Sequence, residues 1–298
     1  MKPLRLRIAD VVFSIEARDP ALTLALPPPA VPFLVDESET WGHVDLAVTA
    51  RYDDLSGLDP GRLIFDSAGT WRLHEAPDGT RCFVFHSDAF GATPYTMAFV
   101  GRNMERVDVR LHRPYFTAGE PRYPMQHPLD ELLMLNLLAR RGGVEVHSSG
   151  VVDEDGRGRL FVGMSGAGKS TISKLWLEKR SVTVLSDDRI VLRPEPEGGR
   201  VWMYGTPWHG EAHLSAPARA PLEGIYFLRQ APENSLVPVR GAAAVARLMA
   251  CTFAPFHSAD GIDAAVTVLD QVVARVPCVE LGFLPDGRVV DRLLAAGA

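Results

Sequence analysis

Lysine is nearly missing from this chain. Of 31 lysine and arginine residues in 298, only Lys2, Lys169, Lys174 and Lys179 are lysine, so arginine is used wherever positive charge alone suffices. No apolar run approaches the ~18 residues that a membrane span needs. The N-terminus has no basic stretch followed by an apolar signal core, and the chain reads as cytoplasmic. Long basic runs are missing too, and the net charge is −6. Both facts argue against a nucleic-acid partner and against an anionic membrane surface. A short cluster such as Arg140-Arg141 reads as the end of a helix. Cysteine is scarce: Cys82, Cys251 and Cys278 are odd in number, far apart and without C-x-x-C spacing. They read as reduced core residues, not as a disulfide frame or a zinc site. No internal repeat, heptad array or low-complexity tract is present.

What is there divides the chain in two, since its length exceeds the ~150 residues typical of one domain. In the first third, Leu4, Leu6 and Ile8 alternate with Arg5 and Arg7, Val44, Leu46 and Val48 alternate again, and Val107, Val109 and Leu111 repeat the pattern. Period two is the signature of a half-buried strand. Trp71 to Phe85 reads as two strands joined around Pro77-Asp78-Gly79. Residues 1–120 are therefore expected to form a small β-rich domain for partner or substrate recognition, with a Pro-rich connection at Pro27-Pro28-Pro29. Pro114, Pro121, Pro124 and Pro128 mark a linker. From 121 to 298 the pattern becomes α/β (α+β), a mixed sheet with flanking helices. Leu132, Leu133, Asn136 and Leu137 define a helix that Arg140, Arg141 and Gly142-Gly143 end. Val144 to Val152 reads as one bent strand or two short ones, and Val182 to Leu185 as a further strand. Ile262, Val266, Leu269 and Val273 form a helical stripe before a strand at Cys278 to Leu281.

The chemistry concentrates in Gly163-Met164-Ser165-Gly166-Ala167-Gly168-Lys169-Ser170, which meets the G-x-x-x-x-G-K-[ST] pattern at every fixed position. Its flanks fit as well. Arg159 to Val162 reads as a short apolar strand, and Ile172, Leu175 and Trp176 recur at helical spacing. A glycine-rich turn between strand and helix aims backbone N–H groups at phosphate oxygens. At Lys169 the chain leaves its arginine habit, where a compact ammonium suits a crowded phosphate better than a planar fork.

Three stretches could complete a site. Val146-His147-Ser148-Ser149-Gly150 is expected at a strand-to-strand turn, although a lone histidine is more often structural. Ser186-Asp187-Asp188-Arg189 places two carboxylates at the end of the strand after the loop helix. Gly205-Thr206-Pro207-Trp208-His209-Gly210-Glu211 sets Trp, His and Glu between glycines, with the Trp either functional or a core plug.

His147, the form of the glycine loop and the Asp187-Asp188 pair together resemble the catalytic domain of the HPr kinase/phosphorylase family, over about residues 129–285. The likeness is nearest to the HPr-kinase-like proteins found beside ribosomal-peptide maturation genes. The resemblance implies a P-loop kinase of the phosphoenolpyruvate-carboxykinase-like type that transfers the γ-phosphoryl group of ATP to a serine of a protein or peptide. Gly163, Ser165, Gly166, Ala167, Gly168, Lys169, Ser170 and Thr171 would bind nucleotide. Asp187 would act as base with His147 assisting and Lys169 neutralising phosphate charge. Ser170 would hold Mg²⁺, and on the chemistry of the residues themselves Asp188 and then Glu211 are the further candidates for the metal. A homo-oligomer is also implied. The β-rich first third does not match the family's usual N-terminal domain. A small-metabolite kinase of the same fold and a non-catalytic nucleotide-sensing scaffold are the alternative readings.

Overall fold

The computed structural model describes residues 2–35 and 43–295. The chain divides into two compact units, Met1–Met134 and Leu135–Ala298. It is a mixed α/β protein with two mixed sheets and several helices. Among the described residues no helix is long and apolar enough to cross a membrane.

The first unit is built on β1 (Leu4–Ile8), β2 (Val11–Ala17), β3 (Leu46–Asp53), β4 (Arg62–Asp66), β5 (Trp71–Glu75), β6 (Arg81–Phe85), β7 (Thr96–Val100) and β8 (Arg106–His112). These form one sheet in the order β1-β2-β3-β8-β7-β6-β5-β4. β3 runs parallel to both β2 and β8, while the other pairings are antiparallel. Ala9 and Asp10, with φ of 50° and 59°, join β1 to β2 in the two-residue turn whose twist matches a hairpin. Between β5 and β6 the Ala76–Thr80 turn closes as its composition predicts. Thr80 N–H donates to Asp78 Oδ1 at 2.9 Å, and Gly79 sits at φ 81°. Val44 falls just outside β3, and the triple proline enters a 3-10 helix, Pro28–Phe33.

Helix α1 (Leu129–Arg140) follows the predicted stripe. Its end is closed by Gly142 at φ 68° and by Gly143 N–H donating to Leu138 O at 3.0 Å, the usual glycine stop.

The second unit contains β9 (Val144–Val152), β10 (Gly158–Val162), α2 (Lys169–Lys179), β11 (Thr183–Ser186), β12 (Arg189–Pro194), β13 (Val201–Tyr204), β14 (Arg219–Gln230), β15 (Ser235–Val239), α3 (Ala242–Met249), β16 (Thr252–Phe253), α4 (Ala259–Arg275), β17 (Cys278–Phe283) and α5 (Arg288–Ala295). β9 is one long strand with two sets of neighbours: β12 and β16 along its first half, β10 and β11 along its second. β14 pairs first with β13, then runs parallel to β10 and β17. The pairings close a ring, β10-β9-β12-β13-β14-β10. His147 therefore stands inside β9 where its neighbours change, not at the strand-to-strand turn that Ser148-Ser149-Gly150 suggested.

Alternation along β10 feeds two cores. Leu160 and Val162 join a cluster with Ala244, Leu248, Ala265 and Leu269 of α3 and α4, while Phe161 joins Ile172 and Trp176 of α2 and Val290 of α5. Trp176 is wholly buried, so α2 is seated by a residue whose loss costs about 3–5 kcal/mol. On α4 the buried stripe runs through Ala265, Val268, Leu269 and Val272, leaving Val266 exposed, a shift from the expected face.

Candidate functional site

The glycine loop leaves the end of β10 and enters α2 at Gly168. Gly168 has φ 105°, and a Cβ there would lie 2.6 Å from the Phe283 ring, so only glycine lets the chain turn against β17. This N-cap offers no side-chain hydrogen bond. The first N–H groups of α2 are thus left for a ligand, at the helix end that favours negative charge. Ser173, buried beneath the first turn, donates to Lys169 O at 3.0 Å and meets Ser149 Oγ at 2.6 Å. Ser149 Oγ in turn donates to Ser186 O at 3.1 Å, tying helix, β9 and β11 together.

Lys169 is buried. Its Nζ donates to Gly163 O at 2.8 Å, to Met164 O at 3.3 Å and to His147 Nε2 at 2.9 Å. Burial, and secondarily the Arg189 charge, pull the ammonium below its ordinary range, although Asp187 opposes this. His147 is pushed down to about 4, first by burial, then by the Lys169 and Arg189 charges, so at neutral pH the ring is uncharged. Its Nδ1 lies 3.0 Å from Asp188 Oδ1, short of the alignment of a hydrogen bond.

The two adjacent carboxylates occupy the turn between β11 and β12 and have different surroundings. Asp187 is buried, with Oδ1 accepting from Gly210 N–H and Oδ2 from Ala212 N–H, each at 2.9 Å. A Cβ at position 210 would sit 2.9 Å from Asp187 Oδ2, so glycine permits that loop to lie on the carboxylate. Asp188 faces His147 with one oxygen and pairs with Arg189 through the other. Arg189 stacks over Phe253 at 4.3 Å and lies 3.6 Å from Glu145, a fully buried carboxylate. The turn is held by Ser186 Oγ, which donates to Trp208 O at 3.0 Å and accepts from Asp188 and Arg189 N–H at 3.2 and 3.1 Å.

One cleft of about 390 Å³ is lined by His147, Ser165, Gly166, Gly168, Lys169, Ser170, Thr171, Asp187, Asp188, Gly210 and Glu211. It gathers nearly all the residues singled out from sequence. Gly163 contributes through its carbonyl to Lys169, and Ala167 packs against Gly163, where a Cβ would stand 2.6 Å away. Trp208 is buried with its carbonyl fixing the Ser186 turn, and His209 stacks edge-on with His213 at 4.7 Å; neither lines the cleft. The oxygen donors Ser170, Asp188 and Glu211 suit a hard cation that keeps phosphate and water ligands. Among the described residues no group of three or more His, Cys, Asp or Glu could hold a metal ion by itself.

Glu145 and Arg189 had no role in the sequence reading. A signal existed for Glu145: it stands two residues before His147 between the valines of the same strand, hence on the same face. Comparison with protein-family models and with curated proteins finds no match to the chain.

Proposed function

We propose that the second unit is an ATP-dependent kinase of the HPr-kinase-like kind, transferring the γ-phosphoryl group to a hydroxyl, in the first place serine of a protein or peptide. The observation that carries this reading is the meeting, in one cleft, of an uncapped helix start, a buried lysine and a pair of carboxylates. Phosphoryl transfer asks mainly for positioning and charge neutralisation. The α2 amides and the glycine loop receive the phosphates, and Lys169 exchanges the carbonyls of Gly163 and Met164 for phosphate oxygens. Asp187 accepts the proton of the attacking hydroxyl, since each of its oxygens retains a lone pair beyond its bond to the 210–212 loop. Ser170, Asp188 and Glu211 are the residues that would hold Mg²⁺. When bound, the ion supplies neutralisation of the phosphate oxygens.

Replacing Lys169 tests the reading. Lys169→Met keeps most of the side chain's bulk while removing its charge. Calorimetry with ATP and assay of ADP formation on serine-bearing peptides should show weakened binding and turnover at background. Wild-type affinity and turnover in the variant would remove the loop from the mechanism.

A further inference from the structure

Arg189 stands against two carboxylates at once, and the cleft opens on one of them. Its Nη1 pairs with Asp188 Oδ2, and its Nε lies 3.6 Å from Glu145 Oε1. Asp188 lines the cleft, whereas Glu145 is fully buried. Strand pairing brings this about. On β9 Glu145 and His147 share a face, while β12 sets Arg189 opposite His147 and β16 sets Phe253 opposite Glu145. Side chains directly opposite in neighbouring strands lie on the same side of the sheet. The guanidinium accordingly rests over the Phe253 ring at 4.3 Å, where a planar, weakly hydrated charge remains favourable out of water.

This placement is costly for groups that only had to fold. A buried ion pair is seldom more stable than apolar residues of the same volume. The backbone of Arg189 is fixed separately, its N–H donating to Ser186 Oγ at 3.1 Å and its carbonyl accepting from Thr206 Oγ1 at 2.8 Å, so the side chain is not what holds the turn. Lys169 is committed to Gly163 O, Met164 O and His147 Nε2. Arg189 is therefore the cation that answers Asp188, the carboxylate proposed for Mg²⁺. A guanidinium and a divalent ion on the same carboxylate repel one another. Glu145 gives the arginine a counter-ion outside the cleft, which an ion bound there does not contest.

We propose that Arg189 is an internal counter-cation of the metal position: it neutralises Asp188 while no divalent ion is bound, and yields that carboxylate to the ion while keeping Glu145. This rests on the metal position in the reading above and is independent of which hydroxyl is phosphorylated. Arg189 and Glu145 then act on the ion's affinity in opposite directions. The arginine charge opposes binding, and the glutamate relieves that opposition by offering the guanidinium a second partner. Neither residue lines the cleft. Both are positioning residues that act through Asp188.

The probe is Mn²⁺, titrated onto the full chain and read as loss of the free ion's electron paramagnetic resonance signal, first alone and then with a non-hydrolysable ATP analogue. Arg189→Met should bind Mn²⁺ about tenfold more tightly than the wild type, and Glu145→Gln about threefold more weakly. The double variant Glu145→Gln/Arg189→Met should match Arg189→Met, since Glu145 acts through the arginine. Arg189→Met alone leaves Glu145 buried without the arginine. Where it folds poorly, the double variant set against Glu145→Gln carries the comparison and should bind more tightly. A pair that serves the fold alone would weaken binding in every variant, and that result overturns the proposal. So does an equal loss from Glu145→Gln with and without Arg189, or a wild type that binds the analogue but no Mn²⁺ in either condition; both leave the kinase reading standing. Calorimetry that shows no analogue binding, with the order of Mn²⁺ affinities kept, removes the kinase reading and leaves the counter-cation in place.

Discussion

The two units bury polar side chains for different ends. In the first, Asp45 Oδ2 accepts Val12 N–H at 2.6 Å and His112 Nδ1 accepts Leu55 N–H at 3.0 Å, so each completes the backbone of the sheet or the segment beside it. In the second, Glu145, Ser149, Lys169, Ser173, Ser186 and Asp187 are all buried on elements that converge on one cleft. Taking polar and charged groups out of water costs stability unless partners repay it. In the first unit Asp45 and His112 spend their polar atoms on the backbone. Where they collect around open space, stability has been traded for a surface that can hold something charged.

The sharpest break in that comparison is at Asp187. In Asp187→Asn the amide must present its NH₂ to one of two backbone N–H donors, so the loop carrying Glu211 loosens as the proton acceptor disappears. ATP should still bind while single-turnover transfer falls by about 10²-fold or more. Transfer at the wild-type rate with ATP saturating would remove Asp187 as base. Next is Gly168→Ala, which forces a side chain into a φ of 105° and against Phe283. Denaturant titration should show a loss of about 1–3 kcal/mol, with weaker ATP binding. Gly166→Ala, at φ 80° with open space around its Cβ, should cost less, and equal losses would discard the steric account.

In the first unit, Asp45→Ala orphans Val12 N–H. It should cost about 1–3 kcal/mol in denaturant titration and leave turnover per folded molecule unchanged. A matching fall in turnover would blur the distinction between the units. A further test concerns pH. His147, facing Lys169, Asp188 and Arg189, is held near 4 when folded against an ordinary 6.5. The unfolded chain therefore takes up the proton first, and the contribution of the neutral ring is lost as pH falls from about 6.5 towards 4. Denaturation midpoints of the wild type and His147→Asn across that window should diverge in slope, the wild type falling more steeply. Parallel curves would place the loss on other groups.

The glycine loop, its strand and its helix were legible because each rests on local chemistry: a fixed spacing, a short apolar run and a 3.6-residue stripe. α1 and its glycine stop were legible for the same reason. His147 was misplaced because Ser148-Ser149-Gly150 has the composition of a turn, whereas pairing with β10 and β12 holds those residues extended. Tertiary pairing decides such cases. The Gly210 and Ala212 bonds to Asp187, and the approach of Arg189 to Glu145, join residues far apart in the chain. Their local patterns carry no distance information. On α4, valine and alanine recur so densely that neighbouring stripes compete, and packing selected Val268 and Val272 over Val266.

β9 ties these parts together. It carries His147, pairs with the strand that delivers the glycine loop, and pairs with both strands that flank the acidic turn. Because β12 and β16 flank its first half and β10 and β11 its second, local fraying has no free edge there from which to start. Hydrogen exchange along residues 146–151 should then proceed only through opening of the whole second unit, so that the floor of the cleft and the unit as a whole share one unfolding free energy.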